Sequence, residues 1–146
     1  MSTMDNSGLR RQAIRTTLAH RAGDAPDASA VAEATLSTWH QVAARLAPVI
    51  GARGVDVLFS RALHLTSTAF PWLAMAGVHR DNPAPLASFR ACLEARETAV
   101  AAEASYALMV TFTELLATLI GESLMERLLG SIWASPPPAS EQETAS

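Results

Sequence analysis

Two stretches of this sequence, LAPVIGARG at residues 46–54 and LATLIGESL at residues 116–124, follow the same pattern seventy positions apart. In each stretch an apolar run ends at a glycine, and a second apolar-periodic run follows it. Glycine adopts left-handed backbone conformations without the steric penalty of a side chain, so it commonly closes a helix. Gly51 and Gly121 therefore predict two helix–glycine–helix units.

The apolar residues around these glycines recur at spacings of three and four, the period of one face of an α-helix. Asp24 and Asp27, on either side of Pro26, suit a helix start because a cap carboxylate accepts backbone N–H groups. The pattern predicts five helices, at 27–50, 52–70, 83–97, 98–120 and 122–134. The fold class expected from them is all-α, a compact antiparallel bundle of four to five helices.

The two predicted units can be aligned on one another at the offset of seventy. Leu46 then matches Leu116, and Phe59 matches Leu129, so apolar positions coincide. An internal duplication explains this match, but so does the general similarity of amphipathic helices that end in glycine, and the sequence leaves both open. Either way the pattern indicates a hinge between packed helices, because a phosphate-binding loop would need more glycines and a lysine or serine at fixed spacing.

Charge divides the chain into three parts. Residues 1–23 carry four arginines against Asp5, a net charge of +3, and fit either a short amphipathic helix or a frayed tail. The remainder carries a net charge of −6, which disfavours binding to nucleic acid. We predict a basic N-terminal arm at 1–23, one helical bundle domain at 24–134 and a disordered tail at 135–146.

Composition indicates where such a protein works. Cys92 is the single cysteine, so an intramolecular disulfide is excluded and a reducing cytoplasm is expected. The N-terminus lacks the apolar core of a secretory signal. The chain has no lysine and much alanine, a composition typical of GC-rich bacteria. We predict a cytoplasmic bacterial protein.

Segment 98–120 is the most apolar part of the chain, with only Glu103 and Glu114 as charges. It is long enough to cross a bilayer, but each carboxylate would cost about 2.5–3.5 kcal/mol near the bilayer centre, so we expect a central bundle helix. Membrane contact is expected to be at most peripheral, through residues 1–23. The apolar surplus predicts a homodimer. The interface residues expected are Tyr106, Met109, Phe112 and Leu116.

No residue pattern predicts catalysis, a metal or a cofactor. Asp56, Ser60 and His64 follow one another by one turn, but neighbours along one helix lie side by side and cannot converge as a catalytic triad. No two histidine or cysteine residues have the helical spacing of a metal pair. An exposed His64 could accept a phosphoryl group. In histidine phosphotransfer domains, however, a lysine and a glycine follow the histidine, whereas here it is followed by Leu65, Thr66, Ser67 and Thr68.

Glu103 and Glu114 lie eleven residues apart, or three turns, and so share one narrow polar edge. This edge is interpreted either as a proton-transfer or ligand-binding site or as the part of the helix that meets solvent, and the second is favoured. A pocket among Trp39, Trp72 and Trp133 would be a small-ligand site.

The leading functional hypothesis is a non-enzymatic bacterial regulatory or adaptor protein. It would act through helix-mediated contacts with itself and with an unidentified protein. The alternative is a histidine phosphotransfer or small-ligand sensing domain of a signalling pathway.

Overall fold

The computed structural model of the chain describes residues 2–24, 26–76 and 85–133. These ranges contain five α-helices and one 3-10 helix, and no β-strand. In chain order they are α1 (Ser2–Ala22), α2 (Ala28–Thr66), the 3-10 helix (Pro71–Ala76), α3 (Pro85–Glu94), α4 (Thr98–Ile120) and α5 (Glu122–Leu129). The all-α prediction is confirmed.

Local hydrogen bonds explain where these helices begin and end. The Ala30 N–H donates to Asp27 Oδ1 at 2.8 Å, so Asp27 is the cap of α2 among the two carboxylates predicted around Pro26. The predicted end near residue 70 is late, since Ser67 and Thr68 donate their hydroxyls to carbonyls three residues back and the chain tightens into turns after Thr66. The predicted helix start at 83 and the predicted tail at 135–146 lie outside the described residues.

Both hinge glycines have the same unusual backbone conformation. Gly51 interrupts α2 at φ 84° and ψ 153°, and Gly121 separates α4 from α5 at φ 92° and ψ 149°. This is an extended conformation at positive φ that is almost confined to glycine, rather than the left-handed helical conformation expected from the sequence. The Gly121 N–H still donates to the Ala117 carbonyl, and the Gly121 carbonyl accepts from the Met125 N–H. One residue therefore ends one helix and begins the next.

The hinge in α2 turns the chain back on itself. The ring of Phe59, after the hinge, lies 4.7 Å from that of Trp39, before it. α3 then continues antiparallel to the start of α2, since Arg90 pairs with Glu33 and Glu94 accepts a hydrogen bond from Ser29. The chain thus returns to the end of the molecule where α2 began, and α4 starts there.

As a result, the first part of α2 and α4 run in the same direction. Val31 and Ala102 line one cavity near the two helix starts, and further along the Trp39 and Phe112 rings meet edge to face at 4.9 Å. α1 runs antiparallel to α4, because Arg11 pairs with Glu114 and Arg15 with Glu103. The predicted antiparallel arrangement therefore does not hold for the central pair of helices, the first part of α2 and α4. These two run in parallel because the chain folds back at Gly51.

α4 lies at the centre of the molecule, and its apolar surface is covered by the same chain. Met109, Phe112 and Leu116 are each at most 1% exposed, and only Tyr106 of the four predicted interface residues reaches the surface. A second copy cannot contact three side chains that α1, α2 and α5 already enclose. The expected interface at these three positions is therefore corrected: they form the core of one chain.

Among the described helices, α4 is also the one that meets the length and hydropathy of a membrane span. Half of its most apolar stretch of 18 residues is buried inside the protein. Its contacts with α1, α2 and α5 are those of a core helix, in line with the sequence-based expectation.

Candidate functional site

A cavity of about 340 Å³ lies between α1, the start of α2 and the start of α4. Small residues on α1 and α4, among them Ala19, Ala22, Ala99 and Ala102, leave space where larger side chains would close the contact between the helices. Leu18 and Val31 add apolar surface. Its size falls within the range of small-molecule pockets, which are largely apolar with a few polar groups that orient the ligand. We call this space the α1–α2–α4 cavity.

One buried polar group in this cavity has no partner. Ser105 lines the cavity and is 1% exposed, and its Oγ makes no hydrogen bond within the described part of the chain. Thr35 also lines it, but the Thr35 hydroxyl donates to the Val31 carbonyl at 2.8 Å. A buried hydroxyl without a partner costs about 1–3 kcal/mol. A ligand atom that hydrogen-bonds to Ser105 would remove that cost.

The mouth of the cavity carries Arg15 and Tyr106. The Arg15 guanidinium carbon lies 3.9 Å from the centre of the Tyr106 ring, which holds the guanidinium in a cation–π contact. Glu103 accepts from Arg15 Nη1 at 2.8 Å and from Nη2 at 3.5 Å. The hydrogen bond from Arg15 holds the pKa of Glu103 below its ordinary value, and the same bond raises the pKa of Arg15. Arg15 is the one charged residue among the described residues that line the cavity.

A second cavity, of about 430 Å³, lies between α1 and α5 around Arg10. The Arg10 side chain is 5% exposed and pairs with Glu122 at 3.1 Å and Glu126 at 3.6 Å. Two carboxylates thus already balance the buried guanidinium, and it ties α1 to α5. The sequence analysis did not single out Arg10 as buried, and Leu9 next to it is 67% exposed. The burial of Arg10 could have been predicted from its position four residues before the apolar Ile14, which places both side chains on one face of α1.

The predicted basic arm is a helix of the bundle. Arg10, Arg11 and Arg15 pair with carboxylates of α4 and α5, and Arg21 donates to Thr38 and Gln41. α1 also contributes buried apolar side chains to the core. Residues on both sides of the predicted boundary after residue 23 therefore belong to one packed unit, because the arginines of α1 bond to α2, α4 and α5 and its apolar side chains join the same core. The acidic edge of α4, predicted from Glu103 and Glu114, is confirmed as exposed and is paired with α1.

The three tryptophans do not form the predicted common pocket. Trp39 lies in the core between Phe59 and Phe112, whereas Trp133 lines the Arg10 cavity. Trp72 packs on Phe70, with the Arg96 guanidinium 4.9 Å from its ring.

Two further residues of chemical interest lie outside the α1–α2–α4 cavity. Burial raises the pKa of the Cys92 thiol, with Arg96 opposing the shift, so this thiol is not activated as a nucleophile. His64 lies exposed near the end of α2, and its role as a phosphoacceptor stays a prediction.

Comparison with family models, with curated proteins and with solved structures finds no match for this chain. Within the described residues, no three histidine, cysteine, aspartate or glutamate side chains lie close enough to hold a metal ion. Among the described residues, the α1–α2–α4 cavity combines an apolar lining with an unpartnered Ser105 hydroxyl and a single arginine.

Proposed function

We propose that this protein is a non-enzymatic bacterial regulatory domain that senses a small, largely apolar molecule in the α1–α2–α4 cavity. The observation that carries the proposal is the buried Ser105 hydroxyl, which lacks a partner within an otherwise apolar cavity. Native proteins satisfy nearly all buried polar groups, so an unsatisfied one that faces a cavity marks a place where a ligand gains a hydrogen bond.

Regulation would follow from the composition of the cavity wall. α1 supplies one wall, and its contacts with the acidic edge of α4 are ion pairs in which Arg11, Arg15, Glu103 and Glu114 are each about half exposed. Exposed ion pairs contribute little stability. A ligand that touches α1, α2 and α4 together would therefore favour the docked position of α1, and its binding would change the surface presented to a partner protein.

The apolar dye N-phenyl-1-naphthylamine, whose fluorescence rises in an apolar site, tests this proposal. We expect saturable binding of one dye per chain, and about tenfold or greater weakening in Ala102→Phe, which fills the cavity. Ala107→Phe is the matched control, because Ala107 lies on the same helix and is not part of the cavity lining. Ala99→Phe provides a second test at an exposed lining position if Ala102→Phe does not fold. Equal dye affinity in the wild type and the folded cavity variants would overturn the proposal.

A second candidate function, self-association, is favoured by a separate observation. Val49 and Leu119 are 47% and 61% exposed, and each lies seven residues after a core residue of the contact between α2 and α4, Val42 and Phe112 respectively. They therefore extend that apolar contact to the hinge end of the molecule, where the structure leaves them uncovered. We propose that a second copy of the chain covers this end, in place of the predicted contact through the middle of α4.

Light scattering across a concentration series tests the homodimer. We expect a dimer for the wild type and a monomer for Leu119→Glu. Leu65→Glu is the control, since Leu65 is another exposed apolar residue, 38% exposed, near the end of α2. A monomeric wild type, or a dimer that both variants retain, would exclude this surface.

We also propose that the two helix–glycine–helix units, at 28–66 and 98–129, arose by duplication. Support comes from the matching conformations of Gly51 and Gly121 and from burial of both members of many aligned pairs. Examples of aligned pairs in which both residues are buried are Trp39 and Met109, Val42 and Phe112, Leu46 and Leu116, Val55 and Met125, and Phe59 and Leu129. Homologous sequences whose two halves agree above chance would support duplication, and halves that agree only in apolar character would argue for convergence.

A further inference from the structure

The polar groups of the α1–α2–α4 cavity indicate which class of molecule it takes. We infer that the ligand is an anionic amphiphile, with an apolar body inside the cavity and a carboxylate at the mouth that binds Arg15. This inference rests on the proposed function, and it adds the charge and the orientation of the ligand. The juxtaposition that carries it is a half-exposed guanidinium at the mouth, apolar walls behind it, and a buried hydroxyl without a partner.

The first step concerns charge. Arg15 is the charged group among the described lining residues, while its partner Glu103 lies outside that lining. A cationic head at the mouth would meet a guanidinium, and an anionic head would gain a charge-assisted pair. The cavity is therefore electrostatically suited to an anion.

The second step concerns whether Arg15 can take a ligand. Glu103 accepts from only two of the five guanidinium N–H groups, and one of the two bonds is at the 3.5 Å limit. The Arg15 and Glu103 side chains are 50% and 55% exposed, so the ion pair contributes little and exchange of one carboxylate for another is inexpensive. The Tyr106 ring holds the guanidinium at the mouth in either case. Glu103 thus acts as a competitor for Arg15 that a ligand carboxylate replaces.

The third step concerns the body of the ligand. The walls are formed mainly by aliphatic side chains such as Leu18, Val31 and Ala102, which favour an alkyl or ring body through the hydrophobic effect. Ser105 offers one hydrogen bond inside. A molecule with a hydroxyl or carbonyl group on its apolar body would satisfy Ser105 while its carboxylate binds Arg15.

Three eight-carbon probes that differ only in their head group test the inference at pH 7.5: octanoate, 1-octanol and octylamine, each in competition with N-phenyl-1-naphthylamine. We expect octanoate to bind about tenfold more tightly than 1-octanol, the ratio that about 1.4 kcal/mol produces. Octylamine, which is cationic at this pH, should bind most weakly. In Arg15→Gln the preference for octanoate over 1-octanol should fall to about twofold or less.

Two further variants separate ligand binding from a merely structural role of the ion pair. Arg11→Gln removes a comparable half-exposed pair, with Glu114, outside the cavity lining, and should leave the probe preferences unchanged. Glu103→Gln removes the same pair as Arg15→Gln but frees the guanidinium, so octanoate should bind more tightly while 1-octanol is unaffected. If the pair served only to hold α1, Arg15→Gln and Glu103→Gln would change octanoate binding in the same direction.

The outcomes distinguish this inference from the proposed function. If 1-octanol binds as tightly as octanoate in the wild type, the anionic-amphiphile inference is overturned and the ligand site stands. The same conclusion follows if Ala102→Phe weakens binding of the dye but none of the three probes displaces the dye from the wild type. If Ala102→Phe leaves dye binding unchanged, the proposed function itself fails. Opposite effects of Arg15→Gln and Glu103→Gln on octanoate alone support the inference.

Discussion

At the scale of single residues, the informative comparison is between Ser105 and Thr35. They occupy equivalent positions in the two helix–glycine–helix units, both are 1% exposed and both line the α1–α2–α4 cavity. The Thr35 hydroxyl is satisfied by the Val31 carbonyl, whereas the Ser105 hydroxyl has no partner among the described residues. The same type of group is therefore stabilising in one unit and destabilising in the other.

Substitution of these two residues should change stability in opposite directions. Ser105→Ala removes an unsatisfied hydroxyl and should raise the free energy of unfolding of the ligand-free protein by about 1 kcal/mol. Thr35→Val keeps the side-chain shape but removes a buried hydrogen bond, and should lower that free energy by about 1 kcal/mol. Urea denaturation followed by circular dichroism measures both. A loss of stability in Ser105→Ala would mean that its hydroxyl is hydrogen-bonded, which would weaken the case for the cavity.

At the scale of secondary-structure elements, each hinge is a single glycine. An added side chain at Gly51 or Gly121 would meet no atom within 4 Å, so the cost of substitution comes from the positive φ alone. Gly51→Ala and Gly121→Ala should each lower the free energy of unfolding by about 1–3 kcal/mol. Gly8→Ala in the middle of α1 is the control, and should be neutral or stabilising because alanine is the better helix former. If neither Gly51→Ala nor Gly121→Ala lowered the free energy of unfolding, neither hinge would need this conformation.

The contact between α1 and α4 should depend on pH through Glu103. Its pKa is lowered in the folded protein by the hydrogen bond from Arg15, so its contribution is present above the ordinary carboxylate pKa and is lost as the pH falls through the lower, folded value. The stability difference between the wild type and Glu103→Gln should be at most about 1 kcal/mol at pH 7 and should shrink as the pH falls below the ordinary carboxylate pKa. If the ion pair with Arg15 is the whole cause of this pH dependence, the double variant Arg15→Gln/Glu103→Gln should have the same stability as Glu103→Gln at each pH. A difference that persists in acid would point to another role for Glu103.

At the scale of the whole molecule, one apolar core joins the described helices. Side chains from α1 through to Trp133 belong to a single cluster, with Trp39 at its centre. The chain should therefore unfold in one transition, with circular dichroism and tryptophan fluorescence coinciding in a urea titration. Loss of helix signal before the fluorescence change would show that α1 separates first from the rest.

Several features could be predicted from the sequence because they depend on neighbours along the chain. The three-and-four spacing of apolar residues predicts helices, and the carboxylate of Asp27 and the glycines at 51 and 121 predict where they begin and break. The eleven-residue spacing of Glu103 and Glu114 predicts a shared polar edge. None of these depends on which helix packs against which.

Only the tertiary structure determined the rest, because it depends on residues that are distant in sequence. The reversal at Gly51 makes the start of α2 and α4 run in parallel, and the enclosure of α4 places three of its four predicted interface residues in the core. The docking of α1 converts a basic arm into the wall of a cavity, with Arg15 at the mouth beside Tyr106. The helical period sets which face of a helix is apolar, but what covers that face, and where it leaves space for another molecule, is set by packing between helices.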